Sequence, residues 1–361
     1  MGKEKGREIL HAGTVDAMLL TGAANMRYVA GFTGEGYVYL SEQSAVIVTD
    51  SRYTIAAKRE CRDFKVEQWN GKPYFEILKS YVERDGIKTL GFEEEEMTVS
   101  EFQSLWKMLP AELAVLEPLG EQVTKWRAVK TSSEIDKICR AEEIGDCAFA
   151  RLLKELEIGM TEKQVAARLE FYMKEEGADG LSFDTIAASG IHSAMPHAVP
   201  TDKKLQEGEF LTMDFGCVYE GYCSDMTRTV MIGRANQKQR EIYYTVLAAQ
   251  KEALERVRPG MKGCEVDSFA RKVIEDAGYG KYFGHSLGHS VGLYIHEKPC
   301  FAPKDETVIE PGMVITVEPG IYVEGFGGVR IEDVVVITKD GCENITHSPK
   351  RLLEIGCSAG N

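Results

Sequence analysis

Between positions 15 and 120, apolar residues fall into short runs separated by amphipathic stretches, the pattern of strands alternating with helices. Val15 to Leu20 predicts a strand. Tyr37 to Leu40 and Ala45 to Thr49 flank the polar Ser41-Glu42-Gln43-Ser44 and predict a hairpin. Tyr53 to Cys61 and Tyr74 to Arg84 carry helical periodicity, and Thr98 or Ser100 is placed to cap a third helix ending at Met108. Together these describe an α/β domain over residues 1–125. Leu116 to Lys130 reads as the connection to the second half of the chain, and the acid run Glu93 to Glu96 as a solvated strand end.

A second domain, residues 126–361, opens with two helices. Thr131 and Glu134 have capping-box spacing ahead of a helix predicted to reach about Leu156. Gly159-Met160 breaks the pattern, and Thr161 opens another helix that ends near Glu176-Gly177. From Leu181 onward short strands interrupted by glycine dominate, with one further helix pair over 237–257 and 264–277. This half reads as α+β.

Composition narrows the function. The chain of 361 residues carries 43 Lys and Arg against 57 Asp and Glu, a net charge of −14. A field of that sign repels phosphate backbones and anionic lipid, so neither nucleic acid nor membrane is expected as a partner. No apolar run approaches the ~18 residues needed to span a bilayer. The charged start, MGKEKGREIL, has no apolar signal core, and the nine cysteines show no C-x-x-C spacing, so a cytoplasmic protein with reduced thiols is expected. The glycine-rich GFTGEG at 31–36 lacks the order of a nucleotide-binding loop.

The candidate chemistry lies in the second half. Leu211-Thr212-Met213-Asp214-Phe215 reads as a buried strand containing an acid, and folding the chain at Glu220-Gly221 brings Asp225 roughly opposite Asp214. One such Asp could be satisfied by an arginine such as Arg228. Two facing acids repel unless a cation lies between them. The device recurs: Val314 to Val317 leads into Glu318, a glycine-rich turn over 325–328 comes next, and Val329 to Asp333 returns with Glu332. Four acids within apolar β segments are costly to bury ionised and unpaired, and hard divalent cations resolve the cost. Three of the seven histidines, His285, His289 and His296, fall within twelve residues among Gly284, Gly288 and Gly292, a texture of close backbone approach and not of helix. The H-E-x-x-H zinc pattern is absent. His197, in Met195-Pro196-His197, reads on its own as a turn histidine.

With these residues in view, nearly the whole chain resembles the pita-bread metallopeptidases: aminopeptidase P, Xaa-Pro dipeptidase (prolidase), methionine aminopeptidase and creatinase. Asp214, Asp225, His289, Glu318 and Glu332 match the five-ligand set of that family. Asn25-Met26-Arg27-Tyr28, Gly31-Phe32-Thr33-Gly34 and Thr49-Asp50-Ser51-Arg52-Tyr53 are similar to the creatinase-like, ribonuclease H-like N-terminal α/β domain of its prolyl-specific branch. The resemblance implies two divalent ions, Mn(II) first and Co(II), Zn(II) or Fe(II) as the other choices, and attack by a metal-bridging hydroxide. It implies that Asp225 serves one ion and His289 the other, that Asp214 and Glu332 span them, and that Glu318 also accepts the proton of the nucleophile. His296 would donate to the tetrahedral intermediate, His197 and His285 would line the substrate pocket, and Arg330 would orient the carboxylates. Proline-containing peptides are the implied substrates and a homodimer the implied assembly.

One position departs from the family's dipeptidase pattern. His296-Glu297-Lys298-Pro299 is followed by Cys300, where many dipeptidase relatives carry an arginine able to grip a substrate carboxylate. The expectation is therefore an aminopeptidase P-like enzyme cleaving Xaa-Pro bonds at peptide N-termini. A Xaa-Pro dipeptidase is the alternative, and a non-enzymatic pita-bread binding protein the remote one. Methionine aminopeptidases usually lack the N-terminal domain, and creatinases work without the five ligands.

Overall fold

The computed structural model describes residues 2–356. The chain divides into two compact units, Met1–Arg127 and Ala128–Asn361.

The first unit is built on six strands: β1 (Ala17–Leu20), β2 (Gly36–Ser41), β3 (Ala45–Thr49), β4 (Lys65–Gln68), β5 (Thr89–Phe92) and β6 (Val115–Pro118). They form one mixed sheet in the order β4-β3-β2-β1-β5-β6. β1, β2 and β3 are buried along almost their whole length, so their apolar runs are continuous rather than alternating. The helices are α1 (Gly2–Ala12), α2 (Ala23–Ala30), α3 (Thr54–Glu60), α4 (Glu76–Asp85), α5 (Val99–Met108) and α6 (Gln122–Ala128). Thr98 caps α5 in a reciprocal box with Glu101. The predicted hairpin is present, with Tyr37 opposite Val48.

Two expectations fail here, the second in part. Leu116 to Lys130 is not a plain connection: its first residues belong to β6, parallel to β5, and Leu119 and Val123 enter the core ahead of and within α6. The acid run is solvated only in part: Glu94 to Glu96 are exposed, as expected, but Glu93 is not. Glu93 is buried and accepts from the backbone N–H groups of Thr21 and Gly22 at the start of α2, and from the Asn25 amide. A helix leaves its first amides without intrahelical partners, and a carboxylate there satisfies them.

The second unit opens with α7 (Ser132–Leu152) and α8 (Glu162–Glu175), each started by a threonine capping box, Thr131 with Glu134 and Thr161 with Gln164. α7 ends four residues short of Leu156, after which the chain turns. Then come β7 (Gly180–Leu181), β8 (Ile186–Ser189), β9 (Glu209–Phe215), β10 (Cys217–Tyr219), β11 (Tyr222–Cys223) and β12 (Met226–Ile232). α9 (Gln237–Arg256) and α10 (Gly263–Asp276) pack as the predicted pair. The last part holds β13 (Gly288–Ser290), β14 (Glu297–Phe301), β15 (Val314–Val317), β16 (Gly320–Val323), β17 (Gly327–Arg330) and β18 (Asp333–Ile337). β8, β9 and β12 lie in one sheet; β14, β13, β15 and β18 lie in another. One core cluster sits between α7, α8 and the first sheet, with Phe149 against Phe215; a second lies under α9 and α10.

Two hairpins carry the acids. The turn at Glu220-Gly221 joins β10 to β11, with both residues at positive φ (45° and 83°). The second hairpin turns at residues 324–326, not 325–328, because Gly327 and Gly328 already belong to β17.

Candidate metal centre

Register decides where the carboxylates meet. Asp214 of β9 pairs with Thr227 of β12, not with Asp225. Asp225 lies two positions before Thr227, so the alternation of the strand keeps it on the same face, diagonal to Asp214. In the second hairpin Val317 pairs with Asp333, and pairing resumes at Gly320 with Arg330. Glu318 and Glu332 occupy the matching positions in the gap between these two ladders, where the backbone is released from strand pairing.

The three-residue strand β13 places the imidazole. His289 donates its backbone N–H to the Thr316 hydroxyl (3.0 Å), and at Gly288 a Cβ would lie 1.9 Å from the Thr316 carbonyl oxygen. Only glycine permits that approach. Nδ1 of His289 lies 3.2 Å from the Ser290 carbonyl, which requires the proton on Nδ1 and leaves Nε2 as the free lone pair. Nε2 faces Asp225 Oδ2 at 3.4 Å and Glu318 Oε1 at 3.5 Å. Ligand atoms of Asp225, His289 and Glu332 lie within 4.8 Å of one another.

The acids fit a cation chemically. Asp214, Asp225 and Glu332 are buried. Burial, and after it the neighbouring carboxylates, push Asp225 and Glu332 well above the ordinary range; burial and Asp214 bring Glu318 to about 8, against the pull of Arg330. Burial likewise holds His289 down at about 4, as the neutral base a metal needs. Oδ1 of Asp214 is buried with no hydrogen-bond partner. An acceptor-rich cluster with an orphaned carboxylate oxygen and a free imidazole lone pair matches a site for hard-to-intermediate divalent ions.

Arg330, named in the sequence through the family resemblance, bonds to both acid-bearing segments. It donates to Asp214 Oδ2, through Nε to the Thr227 hydroxyl (2.8 Å), and through Nη1 to Tyr322 Oη (2.9 Å) and the Pro196 carbonyl (3.2 Å). Arg228, the other candidate for Asp214, is committed to Asp333 at 2.7 Å. His285 has Nδ1 2.8 Å from the Ser286 carbonyl and Nε2 3.0 Å from Tyr322 Oη, so Tyr322 accepts from Arg330 and donates to a neutral His285. Burial brings His285 down to about 4, with Arg330 adding to the effect. The His296 ring packs edge-on against His289, centroids 4.4 Å apart, and burial and then His197 lower its pKa.

All nine residues singled out in the sequence line one cavity of about 490 Å³: Asp214, Asp225, His289, Glu318, Glu332, His197, His285, His296 and Arg330. Cys300 lines it too. Asp225, His289 and Glu332 form the tightest group; Glu318 joins through His289, and Asp214 through Arg330.

Three contributors are not evident from the sequence. Thr227 donates to Glu332 Oε2 at 2.6 Å. Tyr322 links Arg330 to His285. Glu142, buried on α7 and raised to about 8 by burial, accepts the Asp225 backbone N–H at 2.8 Å and the Thr346 hydroxyl at 2.9 Å. Thr227 alone has a local signal, since it shares the face of Asp225 two residues away.

A two-unit chain whose cavity gathers these four acids, four histidines and an arginine defines a metallohydrolase. The chain belongs to metallopeptidase family M24, whose model matches residues 136–339, and carries a creatinase/prolidase N-terminal domain over residues 3–129. It has the pita-bread catalytic fold and is a metallopeptidase of a family that uses divalent metals. It is 40% identical over 349 residues to a Xaa-Pro dipeptidase of Pyrococcus horikoshii, covering 96% of this chain and 97% of that one. The structure of a Xaa-Pro dipeptidase from Bacillus anthracis superposes with a TM-score of 0.94 at 41% identity, covering 98% and 99% of the two chains. An X-Pro aminopeptidase from Thermotoga maritima superposes with a TM-score of 0.90 at 39% identity, covering 96% and 100%. Among the described residues no helix is long and apolar enough to cross a membrane.

Proposed function

We propose that this protein is a Xaa-Pro dipeptidase that hydrolyses the bond before proline in short peptides. The observation that carries the reading is the convergence of the five candidate ligands with His197, His285, His296 and Arg330 on one cavity. The dipeptidases of P. horikoshii and B. anthracis, similar over almost the whole chain, support the dipeptide preference over the aminopeptidase P-like activity expected from Cys300.

Asp214, Asp225, His289, Glu318 and Glu332 would hold two divalent ions, Mn(II) being our first choice. Bound there, such ions supply a hydroxide at neutral pH and neutralise charge developing on the carbonyl oxygen. Glu318, whose Oε1 is oriented by the Thr316 hydroxyl at 3.2 Å, takes the nucleophile's proton and delivers it to the proline nitrogen as the bond breaks. His296 donates a hydrogen bond to the tetrahedral oxyanion. His197 and neutral His285 wall the pocket for the proline ring, which needs no partner for an amide N–H it lacks. Arg330 keeps Asp214 turned toward the cavity.

In this reading residues 1–125 are the creatinase-like domain and 126–361 the catalytic domain of a cytoplasmic homodimer. The second reading is an aminopeptidase acting on longer peptides, favoured by Cys300 in the cavity wall and by the T. maritima relative. The experiment pairs a Xaa-Pro dipeptide with a Xaa-Pro-Yaa tripeptide, using protein chelated and then reloaded with Mn(II). Metal-dependent cleavage of the dipeptide is the expected result. Cleavage confined to the tripeptide moves the assignment to the aminopeptidase, and cleavage of neither overturns both.

A further inference from the structure

The cavity wall includes one loop that is fastened from outside the metal site. Residues 190–200 leave the end of β8, pass through the short 3-10 turn Gly190–Ala194, and bring Pro196, His197 and Val199 to the cavity. Much of this loop faces solvent: Ile191, Met195 and Val199 are 58%, 50% and 79% exposed. It therefore owes little of its position to a core of its own.

Its ends meet on a single carboxylate. Glu162, the first residue of α8, has a fully buried side chain. Oε1 accepts from the Ser189 backbone N–H (2.8 Å), the Ser189 hydroxyl (2.9 Å) and His192 Nδ1 (3.0 Å). Oε2 accepts from the Thr201 backbone N–H (3.0 Å) and the Thr201 hydroxyl (2.6 Å). Ser189 and Thr201 bracket the loop. Burial pushes the Glu162 carboxyl up, but the Thr201 and Ser189 donors outweigh it and hold the group below the ordinary carboxylate value. The middle of the loop has ties of its own: buried Ser193 accepts through Oγ from Gly328 N–H (2.8 Å), and the Pro196 carbonyl accepts from Arg330.

We propose that Glu162 is a positioning residue whose carboxylate clasps both ends of the 190–200 loop and so sets where His197 and Val199 stand against a bound peptide. The identity of that peptide rests on the Xaa-Pro reading; the clasp does not. A glutamine of the same length cannot replace the carboxylate. It offers one acceptor oxygen, and its NH₂ would point at the donors of Ser189 or Thr201.

The test is Glu162→Gln in the full-length, metal-loaded enzyme, followed by amide hydrogen exchange and steady-state kinetics. Amides of 190–200 are expected to exchange about tenfold faster or more, with bound metal unchanged. KM for a Xaa-Pro dipeptide is expected to rise about tenfold, with kcat changed less than about threefold. Wild-type exchange in the loop together with wild-type KM overturns the proposal. Faster exchange across the whole catalytic unit with loss of metal also overturns it, because Glu162 would then only support the fold. Thr201→Val, which deletes one donor and keeps the side-chain volume, must show the same localised change at smaller size even if Glu162→Gln does not fold. If the wild-type enzyme leaves Xaa-Pro dipeptides intact, the functional reading falls, and the exchange result alone decides the clasp.

Discussion

Thr227 stands directly opposite Asp214, and its single hydroxyl serves two residues from the other hairpin: it donates to Glu332 and accepts from Arg330 Nε. One oxygen thus couples the two strands that carry the acids. Thr227→Val keeps the shape and removes the oxygen, leaving a buried guanidinium N–H and a buried carboxylate oxygen unmet. The expected cost is about 2–4 kcal/mol of stability, with metal affinity lower by about 10–100-fold. Denaturant unfolding and a metal titration of the purified variant check both. Unchanged affinity would mean the carboxylates hold their orientation without it.

Carboxylates crowded together destabilise the empty site, so ions should act as fold ligands. With metal at about 100 times its Kd, the folded state gains about 2.7 kcal/mol. Chelation should lower the thermal midpoint of the catalytic unit, and Asp225→Asn should reduce that response. Calorimetry with and without chelator measures it; a midpoint indifferent to chelation would contradict the site.

His285 gives a pH dependence whose sign is set by its environment. Burial and Arg330 hold its pKa near 4 in the folded chain, against an ordinary 6.5. Between those values the unfolded chain binds a proton that the folded chain refuses, so this residue costs stability as pH falls below 6.5. Going from pH 7 to pH 5 should cost wild type about 2 kcal/mol more than His285→Gln, both compared after chelation. Equal pH slopes for the two proteins would show that His285 is not held neutral.

Cys300 lines the cavity, at the sequence position where the dipeptidase pattern has an arginine. Burial and then Asp305 raise its thiol pKa, so it offers no charge there at neutral pH. Cys300→Arg should shift the ratio of kcat/KM for Xaa-Pro over Xaa-Pro-Yaa toward the dipeptide by about 10–100-fold, the worth of one charge-assisted contact. An unchanged ratio would place dipeptide recognition elsewhere in the cavity.

Legibility in the sequence tracks the range of the interaction. The caps Thr98, Thr131 and Thr161 lie three residues from their partners, and the sequence marks all three starts: Thr131 by its box, Thr161 as a helix opener, and Thr98 as one of two candidates with Ser100. The acids and histidines are visible because charge inside apolar β segments is itself a local anomaly. Glu93 reads wrongly as solvated because the amides it satisfies lie more than 70 residues earlier in the chain. β6 hides in its sequence because a four-residue strand with exposed ends and a half-buried middle is defined by its pairing with β5, not by its own pattern. Asp225 seems to face Asp214 because counting from a turn fixes parity more firmly than register. Tyr322 and Glu142 carry no anomaly at all; only folding brings them to Arg330 and Asp225.

Parity has a further consequence for how this site can change over generations. Asp214 and Asp225 point the same way because an even number of strand positions separates Asp225 from the residue facing Asp214. One codon inserted or deleted within either acid-bearing strand would turn every later side chain to the opposite face and empty the site in a single step. Length variation among descendants should therefore gather at the Glu220-Gly221 tip and at residues 324–326, or arrive two residues at a time.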